Sequence, residues 1–181
     1  MASKQEVDIV RIDNSEIDGA IPTIDFGHHE MHEGRHFFYT ETNTIASAAD
    51  RELLITTPDS NRRLHFRFSV RGKYITTTDL YEGSSLTGGT ALTILNNYRD
   101  STIASGATLT HTPAGSGDGT KIFTVSFGDG TNPQQAAGGA IDQADEIILK
   151  SNTKYLLRVT SGTNSNVVNI QLFWYEHEIK L

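Results

Sequence analysis

The chain contains no cysteine, which excludes disulfides, thiolate metal sites and a cysteine nucleophile. Basic residues are outnumbered, with 15 Lys and Arg against 22 Asp and Glu and a net charge of −7. That balance disfavours nucleic-acid binding, which needs a basic surface to neutralise phosphate, and suits a soluble outer surface or a basic protein partner. No apolar run approaches the roughly 20 residues of a membrane span. The opening MASKQEVDIVRID is mixed and acidic and lacks a signal-peptide core, so the expectation is synthesis in a cytoplasm without membrane insertion. The hydrophobic share is only 36%, yet it stays above the disordered range.

Catalytic signatures are equally sparse. No GxSxG elbow occurs. Ala114–Lys121 (AGSGDGTK) ends like a phosphate loop but lacks the GxxxxGK[ST] register, and reads as a loop tip. Asp118-Gly119 and Asp129-Gly130 lack the acidic ligands that follow in an EF-hand, so hairpin turns are the better reading. The sequence predicts no catalytic residue and no cofactor.

What the chain has in quantity is β pattern. In LHFRFSVR, Leu64, Phe66, Phe68 and Val70 alternate with His65, Arg67, Ser69 and Arg71, the signature of a half-buried strand. Phe123, Val125 and Phe127 share a face, as do Tyr155, Leu157 and Val159. Near the C-terminus Ile170, Leu172 and Trp174 oppose Gln171, Phe173 and Tyr175, so both faces of that strand are expected to be partly covered. Arg51–Thr57 and Lys73–Gly83 are further strands, rich in β-branched residues. Turn signals at Thr57–Asn61, Gly83–Ser85, Gly88-Gly89, Ala114–Gly119, Gly128–Gly130, Gly138-Gly139 and Ser161–Asn166 separate them. Only TALTILNNYR and IDQADEIILK could pass for short helices, the second reading better as a turn into a strand at Glu146–Lys150. The fold predicted is all-β: an antiparallel two-sheet sandwich, most simply a jelly roll, spanning residues 25–181 behind an extended N-terminal arm at residues 1–24.

One segment stands out. HHEMHEGRHF (His28–Phe37) holds four of the seven histidines, two glutamates and an arginine. His28, His32 and His36 are spaced four apart, and on one helix face they would suit Zn²⁺ or Ni²⁺. Gly27 and Gly34 bracket that helix, the surrounding chain is β, and the spacing is not that of the zincin motif. The preferred reading is a polar junction where arm meets sandwich, its His and Glu side chains hydrogen-bonding loops, the arm or a neighbouring subunit. Tyr81, Tyr98 and Tyr175 would stack on sugars if exposed, although packing is the commoner role of an aromatic ring.

Taken in order, His28–Gly34 (HHEMHEG), Leu53–Phe66 (LLITTPDSNRRLHF), Leu80–Gly83 (LYEG), Gly88–Arg99 (GGTALTILNNYR), Gly119–Ile122 (GTKI), Glu146–Thr160 (EIILKSNTKYLLRVT) and Trp174–His177 (WYEH) resemble a group of small virion structural proteins of tailed bacteriophages, the capsid decoration or cement type. The resemblance implies a jelly-roll-like protein that binds the major capsid protein on the outside of the assembled shell, as a homotrimer, with no nucleic-acid or membrane partner. It carries over no catalytic residue. Two other readings compete: a tail, neck or fibre module that binds glycans, and a cupin-type metal enzyme using His28, His32 and His36.

Overall fold

The computed structural model describes residues 26–128, 139–142 and 146–178; the arm expected at residues 1–24 lies outside them. Among the described residues one short helix, α1 (Phe26–His32), precedes twelve strands. The first sheet runs β10 (Ile147–Leu149), β3 (Arg62–Gly72), β12 (Asn166–Glu178), β1 (His36–Ile45) and β6 (Leu95–Asn96), with β9 (Gly139–Asp142) paired to β3 beside β10. The second runs β5 (Thr90–Ala91), β7 (Thr108–His111), β2 (Asp50–Thr56), β11 (Lys154–Ser161), β4 (Thr76–Glu82) and β8 (Thr120–Phe127). All of these pairs are antiparallel. The predicted all-β sandwich is the fold observed.

Alternation builds the core as the sequence predicts. Leu64, Phe66, Phe68 and Val70 of β3 and Ile170, Leu172 and Trp174 of β12 face Leu53 and Ile55 of β2 and Tyr155, Leu157 and Val159 of β11. Each large side chain buried here contributes about 1.5–3 kcal/mol of transfer free energy. Phe123 and Phe127 of β8 pack against the same cluster from the sheet edge, Phe123 edge-on to Phe68 at 5.3 Å. Two-sided burial of β12 also holds: Tyr175, on its outer face, is 9% exposed.

Three features depart from the sequence reading. A second buried cluster, Leu54, Tyr81, Leu86 and Leu156, lies on the outer face of the second sheet. There the chain beyond β4 turns back across the sheet, held by Ser85 N donating to Gly117 O at 2.9 Å and by the Thr87–Ala114 bridge. TALTILNNYR is not helical. It crosses from β5 to β6, and Leu92 and Ile94 pack against the core between those two strands. Finally, Phe26–His32 is a helix despite Gly27, although too short to make the histidine segment helical throughout.

The end of α1 is a complete Schellman cap. Gly34 N donates to Met31 O at 3.0 Å, Arg35 N donates to Glu30 O at 2.8 Å, and Gly34 takes φ +69°. That left-handed residue turns the chain from helix into β1 within a few residues, and a Cβ at Gly34 would run into the Ser101 side chain.

Candidate functional site: a charged cleft under the first helix

α1 rests on the end of the first sheet, over the start of β1 and the last residues of β12. Between helix and sheet lies a cleft of about 400 Å³ in which every lining residue is of an ionisable type. His29, Glu30, Glu33 and Arg35 come from the helix and its cap. Arg62 comes from β3, and Glu176, His177 and Glu178 come from β12.

The helix is tied down by a carboxylate. Glu30 is 6% exposed, with its Oε1 3.4 Å from His177 Nδ1 and 3.8 Å from His29 Nδ1. Glu176, 4% exposed, faces inward and accepts hydrogen bonds from Ser105 Oγ at 2.6 Å and Gly106 N at 2.9 Å. A buried carboxylate satisfied by a loop backbone is a structural latch, here fixing residues 105–106 against the end of β12. Asn61 Nδ2 donates to Glu178 at the rim.

The structure separates the three spaced histidines. His28 and His32 face each other on α1, Nε2 to Nε2 at 2.9 Å with ring centroids 4.7 Å apart. Such a contact needs one ring nitrogen to donate and the other to accept. His36 stands on β1, where its Nδ1 meets Asn97 Nδ2 at 2.8 Å. The Schellman turn sends it in a different direction from the helical pair. Among the described residues no group of three or more His, Cys, Asp or Glu is arranged to hold a metal ion.

His36 instead begins a row across the outer face of the first sheet. The β1–β12–β3 register places His36 beside Tyr175 and Tyr175 beside His65. The Tyr175 ring stacks on His65 at 4.4 Å and lies 6.3 Å from His36. Glu146 Oε1 closes the row, 2.8 Å from His65 Nδ1 and accepting from Tyr175 Oη at 2.9 Å. Burial, and secondarily the Arg67 charge, push the His36 imidazole below its ordinary value.

Two further charge groups escaped the sequence reading. Between the sheets, Glu41 accepts from Arg51 at 2.5 and 2.7 Å and from Tyr39 Oη at 2.7 Å, while Arg51 Nη1 reaches His111 at 3.0 Å. Burial raises Glu41, but the Arg51 and Tyr39 hydrogen bonds outweigh it and leave the carboxyl below its usual range; Tyr39 is pushed up to about 12, chiefly by burial. On the outer face of the second sheet Arg158 grips Asp118 bidentately at 2.7 and 2.8 Å and also reaches Glu52 at 2.6 Å. The hairpin expected at Asp118-Gly119 does not form, because β7 and β8, which this loop joins, are separated by three strands of the second sheet; Asp118 sits instead in a crossing loop where Arg158 holds its carboxyl low. Asp129-Gly130 lies outside the described residues. For the first group the sequence signal was charge at inward positions, Glu41 in register with Phe37 and Ile45 and Arg51 in register with Leu53 and Ile55.

Of the three tyrosines considered for sugar stacking, Tyr81 and Tyr175 are buried and Tyr98 is 46% exposed. Tyr98 shares its loop with the exposed Ile103, and the exposed Leu95 stands on β6 just before it. No described helix is long and apolar enough to cross a membrane. Comparison with family models, with curated proteins and with solved structures gave no match.

Proposed function

We propose that this chain is a structural virion protein of the capsid decoration or cement type, which binds the major capsid protein on the outside of an assembled tailed-phage shell and bridges neighbouring capsomers. The observation that carries the reading is strand order. In the first sheet β10, β3, β12 and β1 are neighbours, and in the second β8, β4, β11 and β2. The chain changes sheet at β1–β2, β2–β3 and β3–β4, at β5–β6, β6–β7 and β8–β9, and again at β10–β11 and β11–β12. That interleaving supports the jelly roll, an architecture used by viral shell proteins and by lectins and cupins. The ordered motifs of the sequence favour the shell protein among these.

The charge pattern fits the same role. Glu30, Glu41, Glu176 and Asp118 are each engaged by groups within the chain and serve to hold its own parts. A cement protein acts by buried area and geometry. Because it binds the assembled shell and not free subunits, it stabilises the shell by mass action. The homotrimer implied by the sequence resemblance would give each copy three-fold-related contacts. Cryo-electron microscopy of the virion tests the proposal: density for this chain over the joints between capsomers is expected, and density confined to tail or neck rejects it.

The exposed Tyr98 favours one second reading, a tail or fibre module that stacks sugars. A glycan array probed with the isolated protein, with binding lost in Tyr98→Ala, would support that reading over the first.

A further inference from the structure

α1 is a helix of seven residues with two opposite sides. Residues four apart share a face of a helix, and a residue two positions from both lies on the other. Glu30 therefore points away from His28 and His32. It is buried beside His177 of β12, whereas both histidines are exposed. The carboxylate that anchors the helix thus turns the histidine pair outward, where water reaches it.

The other histidines of the described chain have different company. His65 and His177 lie edge-on at 6.1 Å, and each faces a glutamate. His36 meets Asn97, and His111 meets Arg51. Only His28 and His32 set ring nitrogen against ring nitrogen, Nε2 to Nε2 at 2.9 Å with centroids 4.7 Å apart. The two chemistries open to such a contact differ in geometry. A straight N–H···N bond of that length keeps the ring axes in line and sets the centroids about 5.2 Å apart. Two imidazoles holding one ion through Nε2, at about 2.05 Å and at right angles, bring the nitrogens to about 2.9 Å and the centroids to about 4.5 Å. A tetrahedral ion spreads the same nitrogens to about 3.3 Å. The nitrogen separation found here is the right-angled one, and the centroid separation lies nearer to it than to the straight bond.

We propose that His28 and His32 chelate one divalent transition-metal ion through their Nε2 atoms, in square-planar or tetragonal geometry. Among the described residues no third His, Cys, Asp or Glu joins them, so water completes the ion's shell. Cu²⁺ suits the site best and Ni²⁺ next: both take right-angled nitrogen ligation, imidazole suits both, and Cu²⁺ stands highest in the divalent affinity order. The net charge of −7 and the exposed Glu33 beside His32 draw cations toward it. Ligands one turn apart close a ring through the helix backbone, and a helix this short does not persist by its own hydrogen bonds. An ion that binds the folded turn therefore staples α1 and, with it, the seat of Glu30 on the sheet.

Calorimetric titration of the untagged, full-length protein with CuCl₂ tests the site. One ion per chain is expected to bind there, giving the electron paramagnetic resonance of an axial Cu²⁺ centre with two imidazole nitrogens. His28→Asn and His32→Asn are each expected to lower that affinity at least about tenfold and to lose the two-nitrogen signature, with the metal-free melting temperature nearly unchanged. His36→Gln is expected to bind as wild type does. Unchanged binding in His28→Asn and His32→Asn overturns the proposal. Loss of binding in His36→Gln overturns it too, because the ion then belongs to a three-histidine site. Hydrogen exchange on wild type supplies a readout that needs no variant. Cu²⁺ is expected to slow the amides of Glu33, Gly34 and Arg35, which donate to carbonyls of α1, and to leave Leu156 and Leu157 unchanged. Equal exchange with and without the ion overturns the staple. Neither readout depends on where the protein sits in a virion.

Discussion

The Glu41 carboxylate and the Arg51 guanidinium meet across the space between the two sheets, at 2.5 and 2.7 Å, and both side chains are mostly buried. Glu41 belongs to β1 and Arg51 to β2 in the opposite layer, so the pair joins the two sheets. Removing one partner strands the other with little water to solvate it. Arg51→Met is therefore expected to destabilise the fold by about 1–3 kcal/mol, below the range for fully buried pairs because both groups retain some exposure. Glu41→Gln combined with Arg51→Met should recover part of that loss in urea denaturation. A double variant no better than Arg51→Met alone would show that the pair is not coupled.

The same carboxylate sets an acid limb. Its folded value is depressed below the ordinary 4.5, so its contribution is fully present above that value and is lost as pH falls through the depressed folded value. Wild type should lose stability more steeply below about pH 4.5 than Glu41→Gln does, as measured by urea midpoints between pH 3 and 6.

His36 acts in a different window and through the opposite charge change. Burial and Arg67 favour its neutral form, so its folded value lies below the ordinary 6.5. Above 6.5 both folded and unfolded states are neutral and the residue adds no pH dependence. As pH falls below 6.5 the unfolded state takes up the proton first, and stability declines until the folded value is passed. A His36→Gln variant is expected to flatten the stability profile just below pH 6.5. An NMR titration placing the His36 midpoint at or above 6.5 would contradict this.

Gly34 is held by conformation and by space. Its φ of +69° disfavours any side chain, and the Ser101 side chain occupies the position a Cβ would take. Gly34→Ala is expected to cost at least about 1 kcal/mol. The variant Gly34→Ala with Ser101→Gly should recover the steric part alone, leaving a residual loss of thermal stability from the backbone.

Asp118 and Arg158 make a prediction about order more than about global stability, since Asp118 is partly exposed. Asp118→Asn should leave the melting temperature nearly unchanged while speeding hydrogen exchange at residues 115–119, where three glycines sit at positive φ and the bidentate contact adds to the hydrogen bonds from Ser84 and Ser85 to residues 116 and 117.

The sandwich was legible because alternation is local: Leu64 through Val70 and Tyr155 through Val159 declare their inward faces within one strand. Leu54 and Leu156 were not, because each stands at an outward position and is buried only by chain returning beyond β4, a contact no strand period encodes. Gly27 and Gly34 concealed α1 for opposite reasons. Gly27 lies within the helix, where it reads as a breaker, and Gly34 is the cap that ends it. The parts of the histidine segment were not legible, since the turn at Gly34 parts His36 from His28 and His32. Glu41 and Arg51 are close only across two layers, and one chain read linearly shows no such pairing.

β12 lies in the middle of the first sheet, between β1 and β3, and is the last strand in the described chain. Until it emerges during synthesis, β1 and β3 have no neighbour on their facing sides, and the second sheet has only half a core to close upon. Folding is therefore expected to be late and cooperative, waiting on pairs such as Phe37 with Trp174, and not to grow progressively from the N-terminus. A ribosome stalled before β12 would hold a chain with two sticky margins, whereas release of those final residues converts both at once into interior strands.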